Sequence, residues 1–334
     1  MTKATDKTRL IEKALDKLAP LEKCCTLCPR NCRVDRTRGE KGVCQTGSRA
    51  AVSHALLHFG EEPALSGTAT GSSGREPSGA GGRSGSGTIF FTGCNLKCLF
   101  CQNYQLSWLL EGEPVTDEEL AGMMLGLQIQ GALNINLVSP THVVLPVLRA
   151  LKIACSEGLR IPLVWNSNGY DSLEVVRALE GIVDIYLPDL KYLSPEISKK
   201  YSGAADYFEH ASAALREMSV QQPVLTLGPG EAARRGLIVR HLVLPGCAAD
   251  SMAVLEWIRE NLSPLIALSL MSQYHPCFKA PGEIQRPLAA EEYSPVADLA
   301  VRLGFERLFL QPEPFGPDEH LVPDFRKKEP FRWK

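Results

Sequence analysis

The segment TIFFTGCNLKCLFCQNYQLS, residues 88–107, sets Cys94, Cys98 and Cys101 in a C-x3-C-x2-C array directly after a short apolar run. Thiolates are the usual protein ligands of iron–sulfur clusters. Three of them hold three irons of a cubane and leave the fourth iron open to an outside ligand. S-adenosylmethionine can fill that position through its amino and carboxylate groups, which brings its sulfonium next to the cluster. Reduction of the cluster then cleaves the sulfonium and gives a 5′-deoxyadenosyl radical, with the protein supplying binding and orientation. The alternative is a zinc site of three cysteines and a histidine. The full spacing, with Phe100 just before the last cysteine, favours the cluster.

A second group, Cys25, Cys28, Cys32 and Cys44, follows C-x2-C-x3-C-x11-C spacing in a segment rich in Arg and Lys, with Cys24 able to replace Cys25. Four thiolates suit a closed structural zinc site or a second iron–sulfur cluster, and ligand softness does not separate the two. Four buried, unligated thiols are the remaining alternative. Cys155 falls in a helical pattern as a core residue, while Cys247 and Cys277 follow strand ends, where either could donate a hydrogen atom.

These residues need a scaffold. Strand-like runs occur at 88–91, 134–138, 162–165, 183–187, 238–244 and 265–271, with a further candidate at 307–310. Helical patterns separate them. Thr116 with Glu119 and Asp171 with Glu174 read as capping boxes, and Gly304 closes the last helix. Alternating strands and helices of this length build a parallel sheet. The expected fold class is α/β, a partial (β/α)6 TIM-like barrel with a small N-terminal Cys-rich metal-binding segment; an open doubly wound sheet is the alternative. Nearly every apolar run ends in polar residues: the cysteines, SPTH, NSNG, PDLK, PG and QYH. Parallel α/β folds place their ligand site at the carboxyl ends of strands, so these ends point to one shared site.

The expected divisions are residues 1–60, an N-terminal helix with Ile11, Leu15 and Leu18 on one side followed by the cysteine-rich segment; 61–87, a flexible insert containing the Gly/Ser tract 66–87; 88–315, the barrel; and 316–334, a solvated tail. The 36 basic and 38 acidic residues nearly cancel, which gives no nucleic-acid footprint. No apolar run reaches membrane-span length, and the charged start lacks a signal-peptide core, so a cytoplasmic protein with reduced thiols is expected.

GCNLKCLFCQN resembles the signature of the radical SAM superfamily. LCPRNCRVDRTRGEKGVC, NINLVSPTH, VDIYLPDLKY and RHLVLPG resemble uncharacterised relatives of the pyruvate formate-lyase activating enzyme, over about residues 20–315. The resemblance implies a cluster held by Cys94, Cys98 and Cys101, with Phe100 beside the adenine. Ser139 to His142 stand where activating enzymes carry a Gly-Gly-Glu turn, which leaves Ser139 or Thr141 for the methionine amino group. Asn166 replaces an acid in the matching turn, and Asn168 follows it, so the family's monovalent-cation site is in doubt. Asp189 and Lys191 match the motif that approaches the SAM carboxylate. Arg240 is a second carboxylate candidate or else an internal ion pair, and His275 matches a histidine near the ribose and adenine. His142 and His275 also read as ordinary strand-end residues.

The expected activity is hydrogen-atom abstraction by the radical, from a glycyl residue of a partner enzyme or from a small molecule or peptide. A closed barrel mouth would favour the latter. The electron donor is expected to be a flavodoxin or ferredoxin. The alternative of another class is a non-catalytic zinc or iron–sulfur binding protein.

Overall fold

The computed structural model describes residues 3–67, 85–311 and 322–331. Ten strands occur among them: β1 Ala51–His58, β2 Ser86–Phe91, β3 Glu113–Pro114, β4 Ile135–Val138, β5 Leu163–Asn166, β6 Ile185–Tyr186, β7 Thr226–Leu227, β8 Ala233–Leu242, β9 Ala267–Met271 and β10 Arg307–Leu310. The sheet order is β10-β9-β8-β6-β5-β4-β2-β1-β3, with β7 paired to β8. All neighbours from β2 through β10 along this path are parallel, whereas β1 is antiparallel to β2 and to β3.

The chain is thus a partial TIM-like barrel whose parallel core is extended at one edge by two antiparallel strands. Its parallel strands read as near-continuous apolar runs because both faces are covered. Ile89, Leu137, Trp165, Tyr186, Val239 and Leu268 face the outer helices. Val164, Ile185, Ile238 and Ala267 face the barrel interior. Helix Asp117–Ile129 starts at the Thr116 cap, where both bonds of the capping box with Glu119 form. The N-terminal helix Lys3–Leu18 buries Ile11 and Leu18 and half-buries Leu15, as its spacing requires.

Four expectations change. The Asp171–Glu174 box does not form: Ser172 precedes helix Leu173–Ala178, and Asp171 accepts from Thr141 and Ser167 instead. The N-terminal segment is not separate from the barrel, since β1 hydrogen-bonds β2 along its whole length. Residues 61–67, read as part of a flexible insert, run inside the barrel. There Ala64 and Leu65 close its floor against Val164, Ile185 and Ile238, and Asn134 donates to the Leu65 carbonyl. At the other end of the tract Ser86 and Gly87 are buried in β2; residues 68–84 lie outside the described residues. Finally, the C-terminal segment is not a solvated tail. Phe325 and Phe331 pack on Phe90, and Arg326 pairs with Glu111 at 2.7 Å.

Candidate active site

A cavity of about 340 Å³ opens at the carboxyl ends of the parallel strands. Every strand from β2 to β9 on that path contributes to its wall: Cys94 follows β2, Ser139 follows β4, Asn166 ends β5, Asp189 follows β6, Arg240 lies in β8 and Gln273 follows β9.

Cys94, Cys98, Phe100 and Cys101 form one wall. The loop that carries them is held from several sides. Arg30 of the cysteine-rich segment donates to the carbonyls of Asn95, Leu96, Ser202 and Gly203 at 2.7–2.9 Å. Trp108 donates to the Cys98 carbonyl at 3.0 Å, and Lys97 donates to the Ser107 carbonyl at 2.5 Å. Gly93 turns the chain out of β2 at φ +81°, and a Cβ there would lie 2.5 Å from the Cys44 carbonyl. The cysteine-rich segment therefore touches the barrel immediately before Cys94.

Each sulfur has a donor. Asn168 Nδ2 lies 3.4 Å from Cys94 Sγ, Ser202 donates to Cys98 Sγ at 3.2 Å, and Ser107 donates to Cys101 Sγ at 3.2 Å. Burial raises the Cys98 thiol and pushes the Cys101 thiol up to about 12, which favours the neutral form of both. Among the described residues no three His, Cys, Asp or Glu side chains are gathered closely enough to share one metal ion. Three thiols on one cavity wall, each with a hydrogen-bond donor, fit a cluster whose irons are ligated one apiece.

Lys191 and Asp189, which also line the cavity, form an ion pair at 2.7 Å. Burial works against the Lys191 charge, but the Asp189 carboxylate outweighs it and holds the lysine pKa above its usual value. Asn168 spends its oxygen on the Tyr170 amide and its nitrogen on Asn95 Oδ1 and Cys94. Ser139 lines the cavity with φ +54°, while Asn166 and Ser167 line it from the end of β5.

Three sequence expectations do not hold in place. Thr141 is fully buried and donates to Asp171 at 2.6 Å, off the cavity wall. His275 does not line the cavity; Gln273 and Tyr274, two and one positions earlier, do. Arg240 lines it, but its guanidinium is taken up by Glu61 and Glu62, which makes it the internal ion pair. His142 is buried with Nε2 against the Thr92 carbonyl at 2.8 Å, and Cys247 and Cys277 are buried away from the cavity wall.

Sequence reasoning missed His58, Glu61, Phe90 and Phe331, all of which line the cavity. The adjacent acids of GEEPAL, beside a glycine-rich tract, were the available signal.

In comparisons with known proteins, residues 88–233 match the family model described as the Radical SAM superfamily. This segment is similar to radical SAM domains. The domain implies a four-iron cluster and S-adenosylmethionine as cofactors. The chain is 29% identical over 317 residues, covering 91% of it and 82% of the relative, to the uncharacterized protein MJ0674 of Methanocaldococcus jannaschii. Among solved structures it is similar to Streptococcus suis SuiB bound to precursor peptide SuiA, with TM-score 0.45, 10% identity and 66% of this chain against 46% of that one. It is also similar to anSMEcpe with bound AdoMet and Kp18Cys peptide, with TM-score 0.45, 16% identity and 66% of this chain against 60% of that one. The chain thus spans between 46% and 60% of the length of these two structures. No helix of the described residues is long and apolar enough to cross a membrane.

Proposed function

We propose that this chain is a radical SAM enzyme whose cluster is held by Cys94, Cys98 and Cys101 and whose substrate is a small molecule or a peptide side chain. A cluster held there would supply the electron for reductive cleavage of S-adenosylmethionine, the chemistry needed to remove a hydrogen atom from the substrate. The observation that carries the reading is the convergence of the three thiols, Phe100 and the Lys191–Asp189 pair on one cavity. Lys191 supplies a cation for the SAM carboxylate, Ser139 and Asn166 supply polar contacts at the strand ends, and Asn168 orients Asn95 and Cys94. Phe100 offers an aromatic face for the adenine. Pro323 and Phe331 of the C-terminal segment wall the cavity on one side, which favours a small molecule or side chain over a glycyl residue carried by a partner enzyme.

For the N-terminal thiols the reading is a second iron–sulfur cluster, because among the described residues no three of them are gathered closely enough to share one zinc ion. Cys25, Cys28 and Cys44 are buried, and burial, with Cys44, Cys25 and Cys32 close by, pushes the Cys28 thiol up to about 12. An electron donor such as flavodoxin or ferredoxin reduces the active-site cluster.

Anaerobic iron, sulfide and zinc analysis with EPR tests the reading on wild type and on the Cys94→Ala/Cys98→Ala/Cys101→Ala variant. A reduced four-iron signal that shifts with S-adenosylmethionine and disappears in the variant supports it. Metal retained by the variant then identifies the N-terminal site. Wild type that holds only zinc after reconstitution, or a cluster blind to S-adenosylmethionine, leaves the non-catalytic metal-binding reading.

A further inference from the structure

The floor of the cavity holds a charge imbalance. Glu61 and Glu62 enter the barrel from the turn after β1, and their side chains are 7% and 6% exposed. Arg240 Nε donates to Glu62 at 2.7 Å, and its Nη2 meets one oxygen of each glutamate. Two carboxylates share one guanidinium, so the triad carries one net negative charge. The neighbouring His58, 3.4 Å from Glu61, does not neutralise it, because burial lowers the imidazole pKa. The Lys191–Asp189 pair, also on the cavity wall, is already balanced. A buried charge without a counter-charge is costly.

A second observation points the same way. Asn136 lies two residues before Val138 on the same face of β4, and Val138 lines the cavity. Its amide nitrogen donates to Glu61 at 2.9 Å, which fixes the orientation of the amide. Its oxygen is left fully buried with no partner among the described residues. An unpaired buried acceptor beside an excess carboxylate calls for a cationic donor. Around them stand the rings of His58, Phe90 and Phe331, with His58 and Phe331 centroids 4.5 Å apart and Phe90 and Phe331 5.6 Å apart. Aromatic walls suit an organic cation.

We infer that the substrate presents an alkylammonium group to Glu61, with Asn136 Oδ1 as second acceptor and Phe90 and Phe331 around its stem. The inference rests on the radical SAM reading for the reaction but not for the binding. The amino group of S-adenosylmethionine is committed to the open iron when that molecule chelates the cluster, which leaves Glu61 for another cation. The ammonium belongs either to a free amine or to a lysine side chain in peptide linkage.

The test uses anaerobically reconstituted holoprotein and calorimetric binding of n-butylammonium, Nα-acetyl-lysinamide and the neutral control n-butanol, each with and without S-adenosylmethionine. At least one cation binds wild type more than tenfold tighter than n-butanol, in the presence of S-adenosylmethionine, and Glu61→Gln removes that preference. Preference for Nα-acetyl-lysinamide assigns a peptide substrate, and preference for n-butylammonium a free amine. Should Glu61→Gln fail to fold, Asn136→Leu carries the test, with an expected loss of threefold or more. Equal, weak binding of cation and alcohol overturns the proposal. So does competition between n-butylammonium and S-adenosylmethionine, which would assign Glu61 to the cofactor's own amino group. A cluster signal that ignores S-adenosylmethionine, with cation binding intact, would reject the radical reading alone.

Discussion

Arg240 and Glu62 meet through two hydrogen bonds inside the barrel, Nε to Oε1 at 2.7 Å and Nη2 to Oε2 at 2.5 Å. The pairing governs both residues. Burial opposes the Glu62 charge, and Arg240 outweighs it and holds the carboxyl below its usual range. Arg240→Met leaves two buried carboxylates without a cation and is expected to cost about 3–5 kcal/mol in urea denaturation. Arg240→Lys also loses stability, because a point charge does not reproduce the two-pronged contact. A wild-type urea midpoint in Arg240→Met would show that the glutamates relax into solvent.

Gly169 turns the chain between Asn168 and Tyr170 at φ +79°, and a Cβ there would fall 2.1 Å from the Asp189 carbonyl. The left-handed backbone alone costs a non-glycine residue about 1–3 kcal/mol, and the contact forces Asn168 and Asp189 apart. Gly169→Ala should therefore lose stability and weaken S-adenosylmethionine binding together. Gly203→Ala is the contrasting variant, with φ +60° but open space around its Cβ. It should lose stability without the binding defect, as equilibrium binding and urea titration of both variants will read.

Phe325 packs against Phe90 at 5.1 Å between centroids, and its amide nitrogen donates to Gln105. Phe325→Ala is expected to cost about 3 kcal/mol. The exposed Arg326–Glu111 pair beside it is worth under about 1 kcal/mol. A double comparison of thermal midpoints separates a packed strap from one held by charge: Arg326→Ala should barely move the midpoint, and Phe325→Ala should lower it clearly.

Two buried histidines give the fold a pH dependence. Burial lowers the His142 pKa to about 4, and burial also lowers that of His241, which bonds the Leu190 carbonyl. Both remain neutral in the folded chain while the unfolded chain takes up protons below about 6.5. The unfolded state then binds more protons, so stability is full above that pH and falls as pH drops from about 6.5 toward 4. For His142 the full span corresponds to about 3 kcal/mol. Urea titrations from pH 7 to pH 5 should show the decline, and His142→Asn should flatten it; an unchanged slope would place the proton uptake elsewhere.

Ser202 donates to Cys98 Sγ at 3.2 Å. A donor to a cluster sulfur stabilises the more negative, reduced state, so Ser202→Ala should lower the midpoint potential of the reconstituted cluster. EPR-monitored redox titration measures it, and an unmoved potential would mean that the hydroxyl points elsewhere once iron is bound.

The spacing of Cys94, Cys98 and Cys101 and the polar residues after each apolar run were legible in the sequence, because both are local patterns. Ligand spacing and strand period are written within a few residues, and parallel strands must all deliver their ends to one rim. Thr116 and Glu119 were legible for the same reason. The Asp171 box failed because its carboxylate found the Thr141 and Ser167 hydroxyls, one of them thirty positions away.

Sequence alone determined the α/β class, the cysteine array and the shared rim of strand ends. It could not determine that residues 61–67, at the edge of a glycine-rich tract, fold into the barrel. Nor could it show that Arg240 turns to Glu61 and Glu62, or that Phe331 walls the cavity from the far end of the chain. These depend on contacts between residues far apart in the chain, such as Phe90 with Phe331 and His58 with Phe331. Partners at such separations are chosen by which charges and rings a closed fold leaves unsatisfied, and only the folded chain brings them within reach.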